Sequence, residues 1–207
     1  DFYTKHSDWL FGCLSYDLKN EVEALESNNN DNFPTDNMLF FIPEYVLMLK
    51  DGVLEIQTFN HKKVCDEFIF GFNFEKLKTK EFDCNIKQRD TKESYVEKIK
   101  KIKNHIQLGD IYEMNYCQEF YATDVSFSAA SVFSELNNKM QTPFSSFLKL
   151  EKKYILSASP ERFLRKQGNK ILSQPIKGTR KRGISKKEDE ILISALKTSS
   201  KDISENV

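Results

Sequence analysis

Residues 174–179 read Gln-Pro-Ile-Lys-Gly-Thr and place one lysine, Lys177, in a turn directly after a predicted strand. Pro175 fixes the backbone before this lysine, and Gly178 permits a close backbone approach after it. Three more basic residues follow at positions 180–182. Neighbouring positive charge and partial burial both favour the neutral amine, which is the nucleophilic form. The residues alone leave open a nucleophile, an anion-binding cluster or an exposed basic loop.

Two carboxylates accompany this turn in the sequence. Glu161 follows Pro160 at the end of another predicted strand, where an acid held rigidly in apolar surroundings could donate a proton. Glu205 lies in the stretch Lys201–Asn206, and such carboxylates bind Mg²⁺ together with substrate oxygens and water. Each residue could instead be an ordinary surface glutamate. The pattern predicts a site in which a lysine, an acid and a metal ligand act together.

Strand and turn patterns dominate the chain and predict an α+β fold with antiparallel sheets. Hairpins are predicted at Asp51-Gly52, at Gly168-Asn169 and over residues 144–157. Residues 111–121 are predicted to form one long strand that contains Cys117 as a small buried side chain.

Helices are predicted between these strands. One runs from an Asp90 cap, with Glu93 completing a capping box, to Gly109. A second covers residues 128–140. A third begins after Ser185 and turns four apolar residues inward, namely Ile191, Leu192, Ala195 and Leu196. Asp202 could be the cap of a final helix.

Composition excludes several classes of protein. The 31 basic residues balance the 31 acidic ones, so the chain as a whole gives no reason to expect nucleic acid or an anionic membrane as partner. No apolar run reaches the ~18 residues of a membrane span. The four cysteines are widely separated, which in a chain of this length indicates reduced thiols and a cytoplasmic protein.

Several segments together resemble the chorismate-utilising enzymes, and most closely the component I subunits of the aminodeoxychorismate synthase branch. The segments that carry this resemblance are Trp9–Asp17, Gly109–Phe120, Ser157–Phe163, Pro175–Arg180 and Asp202–Asn206. The resemblance implies an anthranilate-synthase-like two-layer antiparallel β-sandwich flanked by helices.

The resemblance also implies a role for each candidate residue. Glu161 matches the acid that protonates the departing C4 hydroxyl of chorismate, and Lys177 matches the lysine that adds covalently at C2. Ammonia then attacks C4 and expels the lysine, which yields 4-amino-4-deoxychorismate for para-aminobenzoate and folate synthesis. Glu205 matches one carboxylate of the Mg²⁺ site, and Gly178 and Thr179 line the substrate pocket.

Four positions bear on the branch of the family. Anthranilate synthases typically carry alanine where this chain has Lys177, and isochorismate and salicylate synthases place a lysine where this chain has Glu113. The lysine at position 177 and the absence of a lysine at position 113 both favour the aminodeoxychorismate branch. Glu119 departs from the arginine common there, and Cys117 departs from a hydroxyl residue.

The resemblance covers nearly the whole chain but implies a longer protein. We expect an N-terminal subdomain over residues 1–85, with a pocket of the type that holds tryptophan, and the first part of the catalytic domain over residues 86–207. A second metal carboxylate and the glycine-rich substrate loop are expected beyond Val207. Ammonia is expected from a separate glutamine amidotransferase subunit.

Three alternatives stay open at this point. One is component I of anthranilate synthase, and another is a non-catalytic relative that binds chorismate or tryptophan. The third is a nucleic-acid-binding loop over residues 177–187, although Glu188, Asp189 and Glu190 dilute its charge.

Overall fold

A computed structural model of the chain describes a defined set of residues, namely 2–60, 66–67, 69–71, 84–176 and 178–206. Its backbone divides into two compact units, residues 1–74 and residues 75–207. The expected domain boundary at residue 85 stays a prediction.

The first unit consists of short elements that pair locally. In its described residues these are α1 (Phe2–His6), β1 (Phe11–Leu14), a 3₁₀ turn (Tyr16–Leu18), α2 (Lys19–Val22), β2 (Met38–Phe41), β3 (Tyr45–Lys50) and β4 (Val53–Thr58). β1 pairs antiparallel with β2, and β3 pairs antiparallel with β4. The turn between β3 and β4 has φ angles of 51° at Asp51 and 78° at Gly52. Two positive φ angles are the requirement of a type I′ turn, so the predicted hairpin is confirmed.

The second unit carries the longer helices and three more antiparallel strand pairs, two of them hairpins. Its described elements are β5 (Lys87–Gln88), α3 (Lys92–Leu108), β6 (Phe120–Tyr121), α4 (Ala129–Met140), β7 (Phe144–Leu150), β8 (Lys153–Ser159), β9 (Arg162–Gln167), β10 (Lys170–Gln174), α5 (Lys186–Lys197) and α6 (Ser200–Asn206). β5 pairs with β6, β7 with β8 and β9 with β10, each time antiparallel. The predicted α+β class with antiparallel sheets is therefore confirmed.

The start of α3 differs from the prediction by one residue. Thr91 is the N-cap, and its hydroxyl oxygen accepts a hydrogen bond of 3.2 Å from the amide of Ser94. Asp90 cannot serve as the cap because its carboxylate is engaged elsewhere. Glu93 is then the second rather than the third helical residue, so the expected capping box does not form. The helix ends at Gly109, as predicted.

The Asp90 carboxylate lies at the centre of a polar cluster that joins α3 to the segment after it. Its Oδ1 accepts hydrogen bonds from Lys98 Nζ at 2.5 Å and from Ser94 Oγ at 3.0 Å, and its Oδ2 accepts one from the Tyr116 hydroxyl. Gln118 Nε2 donates to the backbone oxygen of Asp90 at 3.0 Å. The hydrogen bonds from Lys98 and then Tyr116 lower the pKa of Asp90 to about 2.

The predicted long strand over residues 111–121 is wrong for most of its length. Only Phe120 and Tyr121 pair in a ladder, with Gln88 and Lys87. An extended segment becomes a strand only when a neighbouring strand accepts its backbone hydrogen bonds, and in the described residues no ladder reaches positions 111–119. Cys117 is accordingly exposed rather than buried.

Arg89 provides a partner for the unusual Glu119. Arg89 Nε donates to Glu119 Oε2 at 2.7 Å, and the Arg89 amide donates to the Glu119 carbonyl at 3.0 Å. The Arg89 guanidinium also lies 4.0 Å from the centre of the Tyr121 ring. A glutamate at position 119 is therefore accommodated by a basic residue directly after β5.

Few side chains are buried in the described residues. Val46 is the buried apolar side chain there, and Ser131 is the buried polar one. On α5, Leu192 and Leu196 are half-buried, whereas Ile191 and Ala195 are exposed, so the predicted inward face is narrower than expected. Within the described part of the chain, no helix combines the length and the apolar content that a bilayer span requires.

The Asp90 cluster predicts a specific pH dependence of stability. Because the pKa of Asp90 falls from 3.8 to about 2 on folding, the stabilisation is present above pH 4 and is lost as the pH falls towards 2. In the full-length protein, Asp90→Asn should therefore lower the free energy of unfolding more at pH 5 than at pH 2.5. Urea unfolding at the two pH values measures this, with the exposed Asp36→Asn as control. An equal loss at both values contradicts the role given to the carboxylate.

Candidate functional site

The β9–β10 hairpin brings two of the sequence motifs together. Arg162, the first residue of β9, pairs with Gln174, the last residue of β10. Arg162 Nε also donates to Gln174 Oε1 at 2.9 Å. Because antiparallel partners lie side by side, the residue before β9 and the residues after β10 meet at the open end of the hairpin.

Glu161 is held at this open end by backbone hydrogen bonds. Its Oε1 accepts a hydrogen bond of 2.9 Å from the amide of Ile176. The Ser159 hydroxyl oxygen accepts from the Glu161 amide and donates to the Glu161 carbonyl, both at 3.2 Å. Glu161 is exposed, so the expected apolar surroundings are not found among the described residues. Its position is determined by two neighbouring segments instead.

Lys177 lies outside the described residues, but both of its neighbours in the sequence are described. Ile176 donates to the Glu161 carboxylate. Gly178 lies against Asp202 of α6. The residue before the predicted nucleophile thus contacts the predicted acid, and the residue after it contacts the helix of the predicted metal ligand.

Gly178 cannot be replaced by a larger residue without displacing Asp202. Its φ angle of 74° is in the left-handed region, and a Cβ at this position would lie 2.6 Å from Asp202 Oδ1. Contacts below 3.0 Å are essentially never seen for real Cβ atoms. Glycine is therefore required here for two reasons, the backbone conformation and the close approach of α6.

Glu205 lies on α6, three residues after Asp202. Residues at this spacing are neighbours on a helix surface, so the two carboxylates share one face. Glu205 is half-buried, and its Oε1 lies 3.7 Å from Lys201 Nζ. Asp202 is not the helix cap, because it lies within the first turn and its amide donates to Ser199 Oγ at 3.4 Å. Thr179, the remaining predicted pocket residue, is exposed.

The structure adds Tyr112 to these residues. Its hydroxyl donates a hydrogen bond of 2.8 Å to the carbonyl oxygen of Ser204, the residue before Glu205. Tyr112 lies in the motif Gly109–Phe120, but nothing in the sequence indicates a partner 92 positions away. Only its place beside Glu113, within a segment already noted, could have drawn attention to it.

The basic loop after Gly178 is partly neutralised by α5. Arg182 binds Asp189 through two hydrogen bonds, Nε to Oδ1 at 2.9 Å and Nη2 to Oδ2 at 2.6 Å, and the Gly183 amide donates to the same carboxylate at 2.8 Å. These bonds, first that of Arg182, lower the pKa of Asp189. The dilution of charge expected from the sequence therefore takes the form of direct pairing. Arg180 and Lys181 stay exposed beside the site.

The described residues alone provide no complete metal centre. In that part of the chain, no group of three or more His, Cys, Asp or Glu side chains is arranged to hold an ion. Mg²⁺ nevertheless requires only one or two protein carboxylates, the rest of its ligands being water and substrate oxygens. Glu205, a half-buried carboxylate only loosely paired with Lys201, fits one such ligand.

These contacts form a continuous path through the second unit. Glu161 contacts Ile176, Gly178 contacts Asp202, and α6 continues to Ser204, which contacts Tyr112. An exposed acid, a metal-compatible carboxylate and a glycine turn thus lie on elements that touch one another. Together with the exposed cations Arg180 and Lys181, such a set could bind a polar, anionic small molecule and transfer protons to it.

The chain matches the chorismate binding enzyme family over residues 2–207 and belongs to that family. The predicted membership is therefore confirmed.

Two relatives that resemble this chain are named for two different activities. Aminodeoxychorismate synthase component 1 of Escherichia coli K12 is 30% identical over 95% of this chain and 44% of its own length. An anthranilate synthase component I-like protein of Synechocystis is 27% identical over 98% of this chain and 42% of its own length. The chain thus spans less than half the length of these relatives.

A solved structure confirms the predicted fold. The crystal structure of anthranilate synthase component I from Streptococcus pneumoniae aligns with a TM-score of 0.74 at 19% identity, over 95% of this chain and 46% of that one. The anthranilate-synthase-like fold that the motifs implied is therefore the fold of this chain, present as a portion of that architecture.

The contact between Gly178 and Asp202 can be tested against a matched glycine. Gly168 has a φ angle of 57°, but a Cβ at this position would meet no atom of the described residues within 4 Å. Gly168→Ala should cost about 1–2 kcal/mol of unfolding free energy for the left-handed conformation alone. Gly178→Ala should cost more, because it also displaces Asp202.

The excess cost should shrink when Asp202→Ala is added to Gly178→Ala. Urea unfolding of the full-length single and double variants gives the coupling between the two positions. Strict additivity, or equal losses at the two glycines, contradicts the steric argument.

Proposed function

We propose that this chain is part of an enzyme that aminates chorismate to 4-amino-4-deoxychorismate. The observation that carries the proposal is the place of Lys177 in the sequence, between Ile176, which donates to the Glu161 carboxylate, and Gly178, which contacts α6. Family membership and the E. coli relative support the substrate and the reaction class.

Glu161 is proposed as the general acid. It is exposed, and among the described residues its Oε1 accepts a hydrogen bond from the Ile176 amide. The other carboxylate oxygen can carry the proton that the C4 hydroxyl of chorismate takes as it leaves as water. The backbone hydrogen bonds to Ser159 and Ile176 would keep this proton at one place while the substrate reacts.

Lys177 is proposed as the nucleophile. Its neutral amine forms a bond to C2 of chorismate, the ring double bonds shift, and the C4–O bond breaks with proton transfer from Glu161. Ammonia then forms a bond to C4, the double bonds shift back, and the C2–N bond to Lys177 breaks. The sum is chorismate plus ammonia giving aminodeoxychorismate plus water, so no oxidant or reductant is needed.

Gly178 and Thr179 are proposed to form part of the pocket wall. Gly178 has no side chain, so a substrate could approach its backbone from the side that Asp202 does not occupy. The exposed cations Arg180 and Lys181 lie next in the chain, and they would attract a dianionic substrate.

Glu205 is proposed to hold Mg²⁺ with further ligands from outside the described residues. The bound ion would bind the ring carboxylate of chorismate and draw electron density from the ring. Oxygen donors of this type suit Mg²⁺ better than softer metals.

Ammonia is proposed to come from a glutamine amidotransferase subunit that works with the full-length protein, and the complex is proposed to be cytoplasmic. The pathway that this enzyme would serve is the synthesis of para-aminobenzoate and folate.

Formation of anthranilate is the second candidate function. The Synechocystis relative, which carries an anthranilate synthase component I-like name, favours it. The two reactions differ in their products, so chromatography of the full-length enzyme with chorismate, Mg²⁺ and ammonium salt separates them. Aminodeoxychorismate supports the proposal, and anthranilate supports the alternative. Binding of chorismate or tryptophan in calorimetry, without turnover, would indicate a non-catalytic relative.

Replacing Lys177 tests the nucleophile. Lys177→Ala should abolish formation of aminodeoxychorismate because no other amine is proposed to add to C2 of chorismate. Lys170→Ala, at the start of β10, should leave turnover unchanged. Mass spectrometry of the denatured wild-type enzyme after mixing with chorismate should show an adduct that Lys177→Ala lacks. Unchanged turnover in Lys177→Ala would rule out the covalent role.

Replacing Glu161 tests the acid. Glu161→Gln keeps the hydrogen bond from Ile176 but removes the transferable proton, so kcat should fall by about 10²–10⁴-fold with a small change in KM. Steady-state kinetics with ammonium as the nitrogen source measures both constants. A change confined to KM would assign Glu161 to binding rather than to proton transfer.

A further inference from the structure

The described residues of helix α6, Ser200–Asn206, carry Glu205. The placement of this carboxylate depends in part on what α6 contacts. Two contacts come from distant parts of the same unit, Asp202 with Gly178 and Ser204 with Tyr112.

These two contacts restrain α6 at different points. The packing of Asp202 on Gly178 limits how closely the first turn approaches the Pro175–Arg180 segment. The Tyr112 hydroxyl donates to the Ser204 carbonyl at 2.8 Å, one peptide before Glu205. A steric contact limits distance only, whereas a hydrogen bond also has a preferred direction. The second contact therefore restrains the rotation of the helix about its own axis, which determines where a side chain points.

We propose that Tyr112 is a positioning residue for Glu205. Its hydrogen bond to Ser204 fixes the turn of α6 that carries Glu205, so that the carboxylate is presented for Mg²⁺ before the ion binds. This inference rests on the proposed function, since it concerns the metal ligand of that site. The resemblance to the family implied no role for Tyr112. The inference gives this residue a role and explains why a tyrosine is present at this position.

Tyr112 could also influence catalysis by direct contact with the substrate, because its side chain is 68% exposed. The two roles predict different kinetics. A positioning role changes the Mg²⁺ dependence and is overcome by excess Mg²⁺. A substrate contact changes the KM for chorismate and is not overcome by Mg²⁺.

The test uses Tyr112→Phe in the full-length enzyme, which removes the hydroxyl and keeps the ring. Calorimetry should show Mg²⁺ binding weakened by roughly 3- to 10-fold, the equivalent of one lost hydrogen bond. Turnover at saturating Mg²⁺ should return to the wild-type kcat. Tyr154→Phe, which removes a hydroxyl from β8, should change neither quantity. The thermal midpoint checks that both variants are folded.

Hydrogen exchange provides a readout that needs neither substrate nor metal. Amides of residues 200–206 should exchange faster in Tyr112→Phe than in the wild type, with no change in α5.

Unchanged exchange together with unchanged Mg²⁺ affinity overturns the inference. A change in the KM for chorismate alone also overturns it and assigns Tyr112 to the substrate. If the wild type does not aminate chorismate, the proposed function itself is wrong. If the wild type aminates chorismate but Tyr112→Phe changes neither exchange nor Mg²⁺ affinity, only the inference about Tyr112 is wrong.

Discussion

The hydrogen bond from the Ile176 amide to the Glu161 carboxylate closes the open end of the β9–β10 hairpin. It joins the strand end that carries the acid to Ile176, the residue before the lysine, and the register of Arg162 with Gln174 brings the two into range. If β9 and β10 slipped by one residue, every side chain on both strands would change face. The geometry of the candidate site therefore depends on the pairing of a short hairpin, and the other contacts extend from it to α6.

Local signals in the sequence predicted the parts of the fold that local chemistry determines. The turn at Asp51-Gly52 needs two positive φ angles, and these residue types allow them, so the hairpin could be predicted without knowing the rest of the chain. The end of α3 at Gly109 is of the same kind. The cap of α3 was predicted one residue early, because Asp90 and Thr91 are both good caps. Only the structure shows that Lys98 and Tyr116 occupy the carboxylate.

Predictions failed where the outcome depends on a distant partner. The residues from 111 to 119 have strand-like side chains, yet strand formation requires a neighbour that the described part of the chain does not supply. The candidate site shows the same division. Glu161, Gly178 and Glu205 could be named from their motifs, but the packing of Gly178 on Asp202 and the Tyr112 bond to Ser204 join positions far apart in the sequence. No periodicity or turn rule reports on contacts of that range.

The pair formed by Arg89 and Glu119 has an evolutionary consequence. Position 119 is commonly arginine in the branch that this chain resembles, and here its backbone and side chain both contact Arg89. An arginine at 119 would bring two like charges together beside the end of the β5–β6 ladder, which is destabilising. We therefore expect homologues that carry arginine at 119 to lack a basic residue at 89. Covariation of these two columns would be a signature of this lineage, independent of the residues that carry the chemistry.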